Sequence, residues 1–246
     1  LAVIFKLKGE KFMFGYYYYD PVSWIFMLIS MAVAGWAHFK VNRAFEKYSK
    51  ISCSSGLTGA QAAEKVLSHN KVEGVSIERT RGYFTDYYDS RSSKICLSDK
   101  VYASRTIASV SVAAHESGHA SQNAADYLPY RIRHALVPIC NFGSQASMPL
   151  IILGILIPKW SFMISLGIIF FSLAVLFQMV TLPVEFDASR RALAAIEDEN
   201  LLSKEELAGA KEVLTAAAFT YVAAAFSALL SLLRLLWETR GSRRRD

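Results

Sequence analysis

The chain has 246 residues, 53% of them apolar, with a mean hydropathy of +0.26 and 27 Lys and Arg against 21 Asp and Glu. These values exclude a disordered or collagen-like chain. The formal charge of +6 would allow nucleic acid as a partner, but its distribution argues against one, because the basic residues gather at the ends of apolar runs and form no single stripe with interleaved aromatics.

Apolar and polar residues are segregated along the chain. A helix needs about 20 apolar residues to cross a hydrocarbon core, and four segments are long enough. An N-terminal segment, residues 1–21, carries a tyrosine cluster from Tyr16 to Tyr19 and leads into the first span, residues 22–39. Trp24, Trp36 and the tyrosines suit the membrane interface, and Lys40, Arg43, Lys47 and Lys50 follow as a cationic collar.

Residues 40–135 are of different material, charged and mixed, and read as a soluble domain. Helical periodicity covers residues 59–68, with Thr58 as N-cap. Strand-like alternation appears at Val75, Ile77 and Arg79, and again over residues 94–98. Small apolar residues then recur in a helix over about residues 101–125.

Arg131 and Arg133 read as anchors before the second span, residues 136–157, whose Pro138, Asn141, Ser144, Gln145, Ser147 and Pro149 call for contact with protein or a cavity on one side. Only Pro158 to Ser161 separate it from the third span, residues 162–184, so the two form an antiparallel hairpin. Residues 185–212 make a helical connection to the fourth span, residues 213–237, and residues 238–246 form a basic tail. Cys53, Cys96 and Cys140 are an odd number without CxxC spacing, and read as small hydrophobes with neither a disulfide framework nor a thiolate zinc cluster.

The chemistry sits within residues 101–125, at His115, Glu116, Ser117, Gly118 and His119, the HExxH pattern. Residues i and i+4 share one helix face, so both imidazoles can reach one ion while Glu116 stands beside them as a general base. Zinc in hydrolases is held by three protein ligands, with a water in the open position that becomes a nucleophile near neutral pH. The plain alternative is an amphipathic helix with ordinary histidines, but the small flanking residues Ala113, Ala114, Gly118 and Ala120 leave room for a site.

A third ligand is required. His38, His69 and His134 fall at element boundaries, and the carboxylates after the third span, Glu185, Asp187, Glu197, Asp198 and Glu199, are better candidates. Glu185 stands where the chain leaves the membrane; a carboxylate there is costly and calls for a partner, which a metal ion or Arg190 or Arg191 would supply.

Three blocks of residues, Ser55 to Gly59, Ala113 to Ala120 and Leu182 to Ala192, resemble the YugP-type neutral zinc metallopeptidases of bacterial membranes. More distantly the chain is similar to HtpX-type and CAAX prenyl membrane peptidases, where HExxH is followed by a Glu ligand in an ExxAD context. The resemblance implies a mostly α membrane protein of about four transmembrane helices with a small α+β zincin-like (gluzincin) domain. It implies one Zn2+ held by His115, His119 and Glu185, with Glu116 catalytic. Ser189 stands where these relatives have Asp, which places in question the role of orienting a ligand histidine, for which Asp187 is the other candidate.

The strand at residues 94–98 reads equally as a plain core strand or as an edge strand along which a substrate backbone could extend, and Arg190, Arg191, Tyr87 and Tyr88 are candidate oxyanion donors by proximity in sequence. Both halves of the site are tied to the membrane surface, so the expected substrates are proteins or peptides in or beside the lipid bilayer. Four spans place the termini on one side and the metal site on the other. Counted from Met13, with residues 1–12 taken as an upstream extension, no Lys or Arg precedes the first span, so the positive-inside rule puts the site at the cytoplasmic face of the bacterial cell membrane; Lys6, Lys8, Lys11 and the arginines at 243–245 count against this orientation. The competing function is a non-catalytic membrane scaffold or assembly factor with a structural zinc site, for which Glu116 would be dispensable. The oligomeric state is not legible.

Overall fold

The computed structural model describes residues 21–82 and 85–243. The tyrosine cluster, Met13, the lysines before it, and Arg244 and Arg245 lie outside the described residues.

Four long helices dominate. They are α1 (Pro21–Tyr48), α5 (Leu128–Leu156), α6 (Phe162–Asp198) and α7 (Lys204–Arg243), each long and apolar enough to cross a membrane. Between α1 and α5 lie α2 (Gly59–His69), the strands β1 (Ser76–Thr80), β2 (Tyr87–Asp89) and β3 (Lys94–Ser98), the single turn α3 (Asp99–Tyr102), and α4 (Ile107–Ala124). Along the long helices the apolar side chains point outward: Ile25, Leu28 and Met31 on α1 and Ile169 and Leu176 on α6 are all exposed. In water that would be costly; against hydrocarbon it is the favoured arrangement.

The helices run well past the apolar stretches that predict them. Helix α1 continues to Tyr48, α5 begins at Leu128, α6 runs unbroken through Glu185 to Asp198, and α7 starts at Lys204. Hydropathy registers only the part of a helix that faces lipid, and the polar extensions pack against the domain between α1 and α5. Two of the interior prolines, Pro138 and Pro149, lie within α5 and a third, Pro183, within α6. The α5–α6 hairpin closes through a 3-10 turn, Pro158–Trp160. It packs closely because a Cβ on Gly167 would stand 2.7 Å from the Ser147 carbonyl oxygen, a small-residue contact suited to helices in lipid.

The helix predicted over residues 101–125 divides in two. Thr106 caps α4 through a reciprocal pair of bonds with Ser109, and Ser52 bridges to Thr106, so the chain turns between α3 and α4. The N-cap at Thr58 is present, reinforced by Gln61 in a capping box.

The sheet has the order β1-β3-β2. Strand β3 pairs parallel with β1 and antiparallel with β2, so it is the central strand and not an edge: both its hydrogen-bonding sides are taken. The parallel β1–β3 pairing has this effect by leaving the short β2 on the outside, next to α4. Alternation of apolar residues cannot reveal this, since it reports the faces of a strand and not its neighbours.

Helix α4 is buried on nearly every side. One face meets α2 and the sheet through Ala113, Ala120, Ile95 and Leu97; the other meets α2, α6 and α7 through Val110, Ala114, Ala192, Ile196 and Leu214. Its buried hydroxyls bond back to its own carbonyls, as Ser117 does to Ala113 and Ser121 to Ser117, and Ser117 also reaches the Ala63 carbonyl of α2 at 3.3 Å. Cys53 and Cys140 are buried and all three cysteines are free.

Helix α4 crosses α6 at Gly118, where a Cβ would lie 2.5 Å from the backbone oxygen of Ala188. Neither backbone can yield cheaply. Gly118→Ala should therefore destabilise the protein by about 1–3 kcal/mol, read as a lower thermal midpoint in detergent; a midpoint equal to wild type would show that the crossing is not tight.

Candidate metal centre

The crossing of α4 and α6 brings His115 and His119 over Glu185. The Nε2 atoms of His115 and His119 lie 3.3 and 3.4 Å from the same Glu185 oxygen, Oε2, and one donor atom from each of the three residues falls within 4.8 Å of the others. A tetrahedral ion with ligands at about 2.0–2.1 Å needs donors about 3.3–3.4 Å apart. The two nitrogen–oxygen separations match that edge, and two imidazoles with a carboxylate are a donor set that zinc accepts. Glu185 is only 2% exposed, a depth at which a carboxylate needs compensation by charge.

Each histidine is held by its other nitrogen. The Ser189 hydroxyl lies 3.2 Å from His115 Nδ1, and Gln122 Oε1 lies 3.0 Å from His119 Nδ1. With Nδ1 as donor in both rings, Nε2 is left with its lone pair toward Glu185, the tautomer a metal requires. Ser189, standing where the similar peptidases have Asp, thus still reaches a ligand histidine. Asp187 acts one step away: it accepts from Gln122 Nε2 at 3.0 Å, while Gln122 also donates to the Val184 carbonyl at 2.7 Å. Gln122 is fully buried and ties His119 to two points of α6.

Glu116 lies beside the pair, 8% exposed. Burial pushes its carboxyl up to about 7, opposed by the nearby His115 and by a hydrogen bond with the main chain of Tyr88. A carboxylate so raised takes up a proton readily near neutral pH, the property asked of a general base.

The other sequence candidates are placed elsewhere. Arg190 and Arg191 both pair with Asp187, the second at 2.6 Å, and neither is recorded in contact with Glu185. Tyr87 hydrogen-bonds Cys96 across the sheet, and the Tyr88 hydroxyl accepts from Asn123. Asp198 and Glu199 hold His69, Glu197 is exposed, and His38 meets Asn42 at 2.9 Å. Arg133 and Tyr221 are at the site and were not among the candidates. Arg133 lies 3.1 Å from Glu185 Oε1, and Tyr221 stands beside Glu185. Arg133 has the local sequence of an interfacial anchor, and nothing in the apolar surroundings of Tyr221 marks it out.

A family model described as "Putative neutral zinc metallopeptidase" matches residues 23–240. The chain belongs to this family. It is 45% identical over 215 residues to the "Putative membrane protease YugP" of Bacillus subtilis (strain 168), a match covering 86% of this chain and 95% of the relative. No solved structure matches. Family membership and the convergence of His115, His119 and Glu185 point to the same ion.

If Gln122 sets the orientation of His119, Gln122→Leu should lower zinc affinity by about 10- to 100-fold in competition with a chromophoric chelator. Affinity equal to wild type would mean that the Gln122 contact has no part in holding the ring.

Proposed function

We propose that this chain is a membrane-embedded, zinc-dependent endopeptidase that hydrolyses peptide bonds of membrane or membrane-adjacent proteins. The observation that carries the reading is the approach of two imidazole Nε2 atoms to one carboxylate oxygen, at 3.3 and 3.4 Å, with a second, proton-accepting carboxylate at their side. Three protein donors leave a position open, as in catalytic zinc sites, whereas structural sites close with four. When bound, zinc would supply Lewis acidity to the scissile carbonyl and lower the pKa of water.

Glu116 takes the proton of the attacking water on its carboxylate and returns it to the leaving amine. Ser189 and Gln122 hold the two rings in register throughout. Burial of Glu185 and Glu116 keeps bulk water from weakening these interactions. Strand β2, on the outer side of the sheet and bonded through Tyr88 to Glu116, takes the place that the edge reading gave to β3 as the strand along which a substrate backbone would lie. Helix α4 with this small sheet is read as a zincin-like domain completed by α6.

Four spans, with Lys40, Arg43 and Lys47 on the end of α1 that enters the domain, favour a multi-pass protein of the bacterial cell membrane with its site at the cytoplasmic face. Glu185 and Arg133 both lie on helices long enough to span, which favours substrates that reach the site from the bilayer or its surface.

Glu116→Gln should retain zinc and lose at least about 100-fold in rate, measured with a quenched fluorescent peptide and with a membrane-protein reporter in liposomes. Zinc bound with cleavage intact would overturn the peptidase reading in favour of a structural metal.

A further inference from the structure

The two oxygens of Glu185 are used differently. Oε2 faces both imidazole Nε2 atoms, at 3.3 and 3.4 Å, while Oε1 faces Arg133 Nη1 at 3.1 Å. The carboxylate comes from α6 and the guanidinium from α5, and Tyr221 of α7 stands beside the same group. A carboxylate left alone beside a divalent ion can bind through both oxygens, as carboxylates do in other metal sites. In a hydrolase that second contact would fill the position that the reaction needs open.

From this division of the carboxylate we infer that Arg133 is a positioning residue that keeps Glu185 a one-oxygen ligand. Arginine suits the task. It is charged at every working pH, it has five donors and no acceptor, so it cannot itself ligate, and its planar fork fixes the direction of the oxygen it holds. It is also placed to do so without closing the site, since its side chain is 28% exposed while that of Glu185 is 2% exposed. A second consequence is mechanical: α4, α5, α6 and α7 all meet at one carboxylate, so ligand geometry depends on how the hairpin sits against α7. The inference rests on the metal-centre reading of the proposed function.

The test uses the full-length protein in detergent, stripped and reloaded with Co2+, whose visible spectrum reports coordination number, and with Zn2+ for affinity. Arg133→Leu should move the cobalt spectrum from the four-coordinate toward the weaker five-coordinate form and lower zinc affinity about 10- to 100-fold. Arg133→Lys, which keeps the charge without the fork, should recover part of the affinity. In a Glu185→Gln background Arg133→Leu should cause no further loss, because its effect acts through that carboxylate. Circular dichroism checks that each variant is folded, and Arg133→Gln replaces Arg133→Leu if the latter is not. A folded variant with the wild-type cobalt spectrum and zinc affinity would overturn the inference, as would an undiminished effect in the Glu185→Gln background. Failure of the wild-type protein to take up either ion would instead remove the metal centre itself.

Discussion

A single carboxylate, buried at the crossing of two helices, governs this structure. Glu185 is 2% exposed; Arg133 of α5 faces one of its oxygens, and the two imidazole Nε2 atoms of α4 face the other, with lone pairs that only a cation between them and the carboxylate would turn to binding. An unpaired charge at such depth would cost several kcal/mol. The requirement fixes where α4 must cross α6, and that in turn fixes Gly118, since any side chain at the crossing would push the histidines away from the carboxylate.

The rest of the domain serves to hold α4 in place. Alanines and serines let it be enclosed on all sides, by the sheet and α2 on one face and by α6 and α7 on the other. Its interior polar groups are satisfied within the helix or by Gln122 and Ser189, which at the same time set the imidazole tautomers. The part between α1 and α5 is too small to enclose a site alone. The long helices complete it, with α6 supplying Glu185, α5 the Arg133 that faces it and α7 the neighbouring Tyr221.

Much of this was legible in the sequence, for reasons that are local. HExxH is a spacing on one helix, and spacing survives in any fold. Glu185 was conspicuous because an acid directly after a long apolar run has to be explained. The four long helices follow from composition. What was not legible depends on pairings distant in sequence. Arg133 has the same neighbours as a headgroup anchor, and only the turn between α4 and α5 directs it inward. Tyr221 sits in an Ala- and Leu-rich helix with no local mark of function. Gln122 carries no signal in the sequence that distinguishes it from other polar helix residues. Whether β3 is a core strand or an edge was open for the same reason, and the pairing with β1 and β2 makes it the core strand, for strand order is a property of the sheet and not of the strand. Arg190 and Arg191 were near in sequence, yet Asp187 on the same helix face takes both.

The central claim is that two histidines of α4 and one carboxylate of α6 hold a single zinc ion. X-ray absorption at the zinc edge of the purified protein tests it most directly. The account predicts one zinc per chain, with two imidazole nitrogens and two oxygens at about 2.0–2.1 Å, the second oxygen from solvent. A first shell containing sulfur, or three or more imidazoles, would contradict it.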